Sequence, residues 1–171
     1  MLHYPAPNAI FSSIVHLDNG RVFKHARLFK SFDSLLQRLG KLQADTPRQW
    51  GKMNAAQMVT HCARALETGT GDRPMKQKLI GKILMPFFRK SILGEKPFSR
   101  NGPTDPSFIV TDEREFSTER QKLVDLIAKF VQRGPDAAGQ ETHAFFGTMT
   151  GQEWGETMYK HIDHHLQQFG L

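Results

Sequence analysis

His161 and His165 stand four residues apart, one helical turn, in the stretch running from Thr150 to Gly170. Thr150 and Glu153 have the spacing of a capping box, in which each side chain serves the other residue's backbone N–H. Gly170 is placed to take a left-handed conformation after the last turn. On a wheel of roughly 100° per residue with His161 at zero, Trp154 falls near 20°, His165 near 40°, Met158 near 60° and Phe169 near 80°. Both imidazoles therefore lie in the apolar stripe. His164 falls near −60°, at its edge, and Gln168 near −20°. A buried imidazole needs a partner. One solution is a backbone or carboxylate partner in an ordinary core. The other is a cation shared by two ring nitrogens at i, i+4. His164 with His161, at i, i+3, is also geometrically open.

The elements that must position these rings are helical. Leu28, Phe29, Phe32, Leu35, Leu36, Leu39 and Leu42 recur at helical steps from about Val22, and Asp45-Thr46-Pro47 ends the run. Asn54 is a candidate N-cap for a second helix over Ala55–Thr68. That helix buries Ala55, Met58, Val59, Cys62 and Leu66, with His61 at the margin of the stripe. A lone histidine there is ordinarily a half-buried residue, and it gains interest because the last helix wants a third ligand. Thr111 to Arg133 reads as the third long helix, acidic at its start and stopped by Gly134-Pro135. Between the second and third lies Met75–Leu93, basic and apolar by turns, with Pro86 predicting one kinked helix or two short ones. Residues 96–107 read as a loop long enough to be functional. The expected architecture is all-α: a four-helix bundle with a basic helical insert between the second and third long helices. The whole of residues 1–171 is expected to be one domain, with an irregular lead-in over 1–20, a short strand near Ala9–Leu17 within it, and the insert and its loop over 72–107.

The chain carries 23 Lys or Arg against 17 Asp or Glu, a net charge of +6. From Asp72 to Arg100 there are eight basic and two acidic residues, while the remainder holds fifteen of each. The excess charge thus belongs to one segment, which argues against a nucleic-acid partner for the domain at large. The insert is expected to lay its apolar side on the bundle and solvate its lysines. The alternatives are a non-enzymatic interaction domain contacting anionic lipid, nucleic acid or a protein through this segment, and a homodimer formed through its apolar residues. One cysteine, Cys62, excludes an internal disulfide framework. With no signal-peptide pattern and no apolar run of spanning length, a cytoplasmic location is the expectation. No Gly-rich phosphate loop, paired cysteines or nucleophile elbow occurs.

Two stretches carry a family likeness. Trp50-Gly-Lys-Met-Asn-Ala-Ala-Gln-Met-Val-Thr-His61 and His161-Ile-Asp-His-His165-Leu-Gln-Gln resemble the DinB-like (YfiT-like) superfamily of four-helix proteins regarded as metalloenzymes. His143-Ala-Phe-Phe-Gly through Glu153-Trp154-Gly looks like a little-characterised branch of it. The likeness runs from about Leu35 to the C-terminus. It implies a divalent metal held by one histidine of the second helix and a His-x-x-x-His pair of the last, here His61, His161 and His165. Three neutral imidazoles leave open positions, the style of a catalytic site. Zinc, nickel, iron and copper all suit imidazole. The likeness further implies a low-molecular-weight thiol as co-substrate, a small-molecule substrate, and thiol-dependent transfer or hydrolysis. Gln168 is a candidate to orient a ligand ring. Asp163 points elsewhere on the wheel. His143 and Cys62 are the tempting further groups, although Cys62 lies mid-stripe, where a buried structural thiol is expected. No general base is assigned.

Overall fold

The computed structural model describes residues 22–94, 96–102 and 104–171, with side chains from Phe32 onward except those of residues 88 and 90–92. The lead-in and the strand expected near Ala9–Leu17 lie outside them. Among the described residues the helices are α1 (Val22–Lys41), α2 (Ala55–Gly69), α3 (Leu79–Leu93), α4 (Phe116–Ala138) and α5 (Gly151–Gln168). A short 3₁₀ turn spans Pro106–Phe108. Two short strands, β1 (Thr142–His143) and β2 (Gly147–Thr148), pair antiparallel, His143 opposite Gly147.

The fold is an all-α bundle, and the expected helix ends recur with their chemistry. Asn54 caps α2 and Thr150 caps α5, each in a reciprocal capping box, with Gln57 and Glu153 as the returning side chains. Gly170 takes φ +75° just past α5. The third long helix starts later than Thr111, because Glu115 is its N-cap: that carboxylate accepts from the N–H groups of Ser117 and Thr118. Gly134, at φ 74° and ψ 176°, breaks its axis where Gly134-Pro135 predicts a stop, and one further turn follows to Ala138.

α2 packs along α4, α1 along α5, and α5 also reaches α2 and α4. The shared core is Phe32, Leu35, Leu39 and Leu42 of α1, Met58, Val59 and Leu66 of α2, Leu123 and Ile127 of α4, and Trp154, Ile162 and Leu166 of α5. Cys62 is fully enclosed among them, and burial pushes its thiol up. The α2–α5 contact brings the histidine-bearing faces together.

The insert departs from expectation. α3 runs as one helix through Pro86; Met85 and Leu93 pack against the core, while a stripe of its other apolar side chains faces away from the bundle. Leu79, Ile80, Ile83, Leu84 and Phe87 are exposed. The face turned inward is set by a close approach and by polar contacts. A Cβ on Gly81 would stand 2.4 Å from the Phe145 carbonyl oxygen, so only glycine lets the helix lie so near the hairpin. The Lys78 N–H donates to the Ala144 carbonyl. Arg89 donates to the carbonyls of Phe146 and Thr148 and forks onto Glu153. These contacts, together with Met85 and Leu93 against the core, hold one side of α3, and the stripe of Leu79, Ile80, Ile83, Leu84 and Phe87 is left outside.

Candidate metal centre

His61 sits in the middle of α2, and His161 and His165 one turn apart on α5. Their ring centroids form a nearly equilateral triangle with sides of 4.9, 4.7 and 4.8 Å. One nitrogen of each ring lies within 4.8 Å of the others. His61 is buried, at 4 % exposure. The packing of α2 against α5 produces this meeting, since each ring leaves its helix on the side that faces the other.

Hydrogen bonds fix which nitrogen is available on two of the three rings. His61 Nδ1 lies 3.0 Å from the Phe108 carbonyl oxygen. A carbonyl only accepts, so Nδ1 carries the proton and Nε2 presents its lone pair. His165 Nδ1 lies 2.9 Å from Gln168 Oε1. The amide cannot be the other way round, because Gln168 Nε2 donates to the Trp50 carbonyl at 2.8 Å. His165 Nε2 is therefore also a free lone pair. His161 Nε2 lies 2.9 Å from His61 Nε2. His61 has no proton to give there, so His161 donates. The other nitrogen, His161 Nδ1, is buried without a hydrogen-bond partner. No outer group fixes the tautomer of this ring, and its proton can move to Nδ1 without breaking a bond on that side.

The environment keeps all three rings neutral. Burial lowers the pKa of His61, against the stabilising bond to Phe108. His161 is pushed well below the ordinary imidazole value, first by burial and then by its histidine neighbours. Burial and the nearby His61 take His165 down to about 3. Neutral imidazole is the form that binds metal. Nitrogens sharing one ion at 2.0–2.1 Å stand about 3.3 Å apart in tetrahedral geometry. His61 and His161 would part by a few tenths of an ångström, and nitrogens standing as far apart as 4.8 Å would close by about 1.5 Å, a rotation of the ring. The donor set thus fits a divalent cation: three neutral nitrogens, two of them aimed by acceptors behind the ring.

His164 is not part of the cluster. Its ring lies between Trp50, at 5.9 Å, and Phe98, at 6.3 Å. The Arg100 guanidinium stacks 4.1 Å above Trp50, and Lys160 Nζ lies 4.8 Å over Phe98. The 96–107 loop therefore brings an aromatic and a cationic group beside the histidines of α5. Asp163 points away and pairs with Arg38 at 2.5 Å. His143 accepts from the N–H groups of Phe145 and Phe146 through Nδ1, which holds the hairpin turn. Burial lowers it to about 4, and that nitrogen is not open to take a proton from a substrate.

Two contributors were invisible to sequence reasoning because they are backbone carbonyls, those of Phe108 and Trp50. The support behind Phe108 has a weak sequence signal. Asp105-Pro106 is an N-cap followed by proline at N1. Asp105 accepts from the N–H and hydroxyl of Ser107, is 2 % exposed, and pairs with Lys78 at 2.6 Å. Arg64, one turn after His61, donates to the Ile109 carbonyl at 2.7 Å and clips the same segment to α2.

A family model described as a protein of unknown function (DUF1569) matches residues 23–170. The chain belongs to the DUF1569 family. No curated protein and no solved structure matches it. The three-histidine cluster that can hold a metal ion lies wholly inside the DUF1569 match. So do Phe108, Trp50 and Gln168, the residues that orient its rings.

Proposed function

We propose that this DUF1569 protein is a metal-dependent enzyme of DinB-like type, with His61, His161 and His165 binding one divalent ion through Nε2. The observation that carries the reading is the fixed tautomers. Phe108 and Gln168 each hold an Nδ1 proton and so aim two lone pairs at a common point. In an ordinary core each ring would find its own polar partners; here the Nε2 atoms of His61 and His161 face each other at 2.9 Å and the buried Nδ1 of His161 has none. Zinc, nickel and iron(II) are the candidate ions.

A divalent ion with only three protein ligands supplies Lewis acidity and lowers the pKa of water or a thiol at an open position. The chain's own residues do the rest. Phe108 and Gln168 hold the ligand rings in register. Depressed basicity keeps the rings unprotonated, so protons compete weakly for the nitrogens. Arg100, held over Trp50, offers a cation to an anionic group of the substrate or of a low-molecular-weight thiol. The reaction class this favours is thiol-dependent transfer or hydrolysis on a small molecule.

Elemental analysis of tag-free protein, incubated with each ion and dialysed, tests the reading. About one equivalent is expected in the wild type, and less than about a tenth in His61→Ala and in His161→Ala/His165→Ala, since structural affinity rests on the full ligand set. Circular dichroism checks that each variant is folded. Equal metal content in folded wild type and variants would overturn the assignment.

A further inference from the structure

We infer that the outward face of α3 is a docking surface for an anionic lipid membrane. This goes beyond the proposed enzyme activity and does not depend on it.

The first observation is the arc of exposed apolar side chains. With Leu79 at zero, Ile83 falls near 40°, Phe87 near 80°, Ile80 near 100° and Leu84 near 140°, a continuous stripe at about 100° per residue. Their exposures are 72, 58, 79, 52 and 39 % in that order. Five large apolar side chains on one side of one helix are more than the scattered exposure that monomer surfaces normally carry. The helix cannot roll to bury them. Gly81 against the Phe145 backbone, the Lys78 N–H to Ala144, and Arg89 to Phe146, Thr148 and Glu153 fix its opposite side.

The second observation is charge, and it selects the occupant. Leu79–Leu93 contains no acidic residue. Lys82, on the helix, and Lys76, three residues before its start, are exposed, and neither enters an ion pair among the described residues. The whole excess charge of the protein lies between Asp72 and Arg100. A second copy placed face to face by a two-fold axis would oppose lysines to lysines, with no acid on either α3 to separate them. An anionic bilayer surface complements both features at once: acyl chains for the stripe, headgroup charge for the lysines. No helix among the described residues is long and apolar enough to cross a membrane, so the contact is interfacial.

The test is co-sedimentation of the full chain with phosphatidylcholine vesicles, with or without phosphatidylserine at about a third of the lipid. Wild type should pellet with the anionic vesicles at low salt, and at least tenfold less with phosphatidylcholine alone or at about 0.5 M salt. Leu79→Ser/Ile83→Ser/Phe87→Ser removes only exposed apolar groups, so its melting temperature should match the wild type while its partition falls tenfold or more. Lys76→Glu/Lys82→Glu should lose binding to a similar degree with the stripe intact. Wild type that stays in the supernatant with anionic vesicles overturns the inference. So does binding that ignores either set of substitutions. A wild-type dimer in sedimentation velocity that the serine variant dissolves, with vesicles left bare, would assign the face to a second copy instead.

Discussion

At His165, a ligand's direction is decided by an atom behind the ring. Gln168 accepts from Nδ1 and is itself held by the Trp50 carbonyl. Replacing it with leucine removes the acceptor and leaves a buried N–H. We expect Gln168→Leu to weaken metal binding roughly 10- to 100-fold, the usual effect of losing such a partner. Competition with a chromophoric chelator reads this directly, and unchanged affinity would mean that the ring is held by packing alone. His164→Ala, by contrast, should leave affinity within about threefold, because its ring stands outside the triangle and contributes no nitrogen. The sequence made the α5 part of this legible: three positions on one wheel place His161, His165 and Gln168 together. The Phe108 carbonyl could not be read in the same way. It comes from a segment 47 residues from His61, and a backbone oxygen has no residue type to betray it.

At the scale of elements, the turns explain glycines that the helical pattern leaves unaccounted for. Gly51 has φ +79°, and a Cβ there would stand 2.3 Å from Gln168 Nε2. The Trp50-Gly51 turn is thus shaped around the amide that orients His165. Gly51→Ala combines backbone strain with displacement of Gln168. It should lower metal affinity about tenfold or more without touching a ligand, in the range seen for disturbed outer partners. Isothermal titration of the folded variant checks this, and wild-type affinity would show that Gln168 can move without consequence. Helix α3 illustrates the opposite case. Its alternation of lysine and aliphatic residues predicts an amphipathic helix correctly, yet amphipathicity does not say which side is turned in. Gly81 and Arg89 decide that, through a close approach and carbonyl contacts to a hairpin whose own strands are too short to announce themselves.

Taken whole, the molecule carries a pH dependence set by its histidines. His61, His143, His161 and His165 all have lowered pKa values in the folded state. Unfolded, each would titrate near 6.5. As pH falls below that value, the unfolded chain takes up protons that the native state refuses, so stability is full above about 6.5 and declines toward the folded values. Each ring contributes a slope of up to about 1.4 kcal/mol per pH unit in that window. Urea unfolding of chelator-treated protein should therefore lose at least about 1.4 kcal/mol between pH 6 and pH 5, before the carboxylates begin to titrate. A flat profile there would mean that the rings charge in place. The bundle itself was the most legible feature, because apolar residues such as Leu35, Leu39, Met58 and Leu66 repeat at helical spacing and cap signals mark where α2 and α5 begin.

The stretch between α2 and α4 looks like an accessory when read as an insertion into a bundle. The ion pair from Lys78 to Asp105 makes it something else. Asp105 shapes the turn that delivers the Phe108 carbonyl to His61, and its counter-ion sits one residue before the helix that carries the exposed stripe. Excision of 72–107 would therefore not yield a trimmed bundle with its histidines intact. It would take away Asp105 and the turn that presents the Phe108 carbonyl to His61. The segment is not a removable module: grafting it elsewhere, or pruning it here, would have to carry the histidine's scaffolding along.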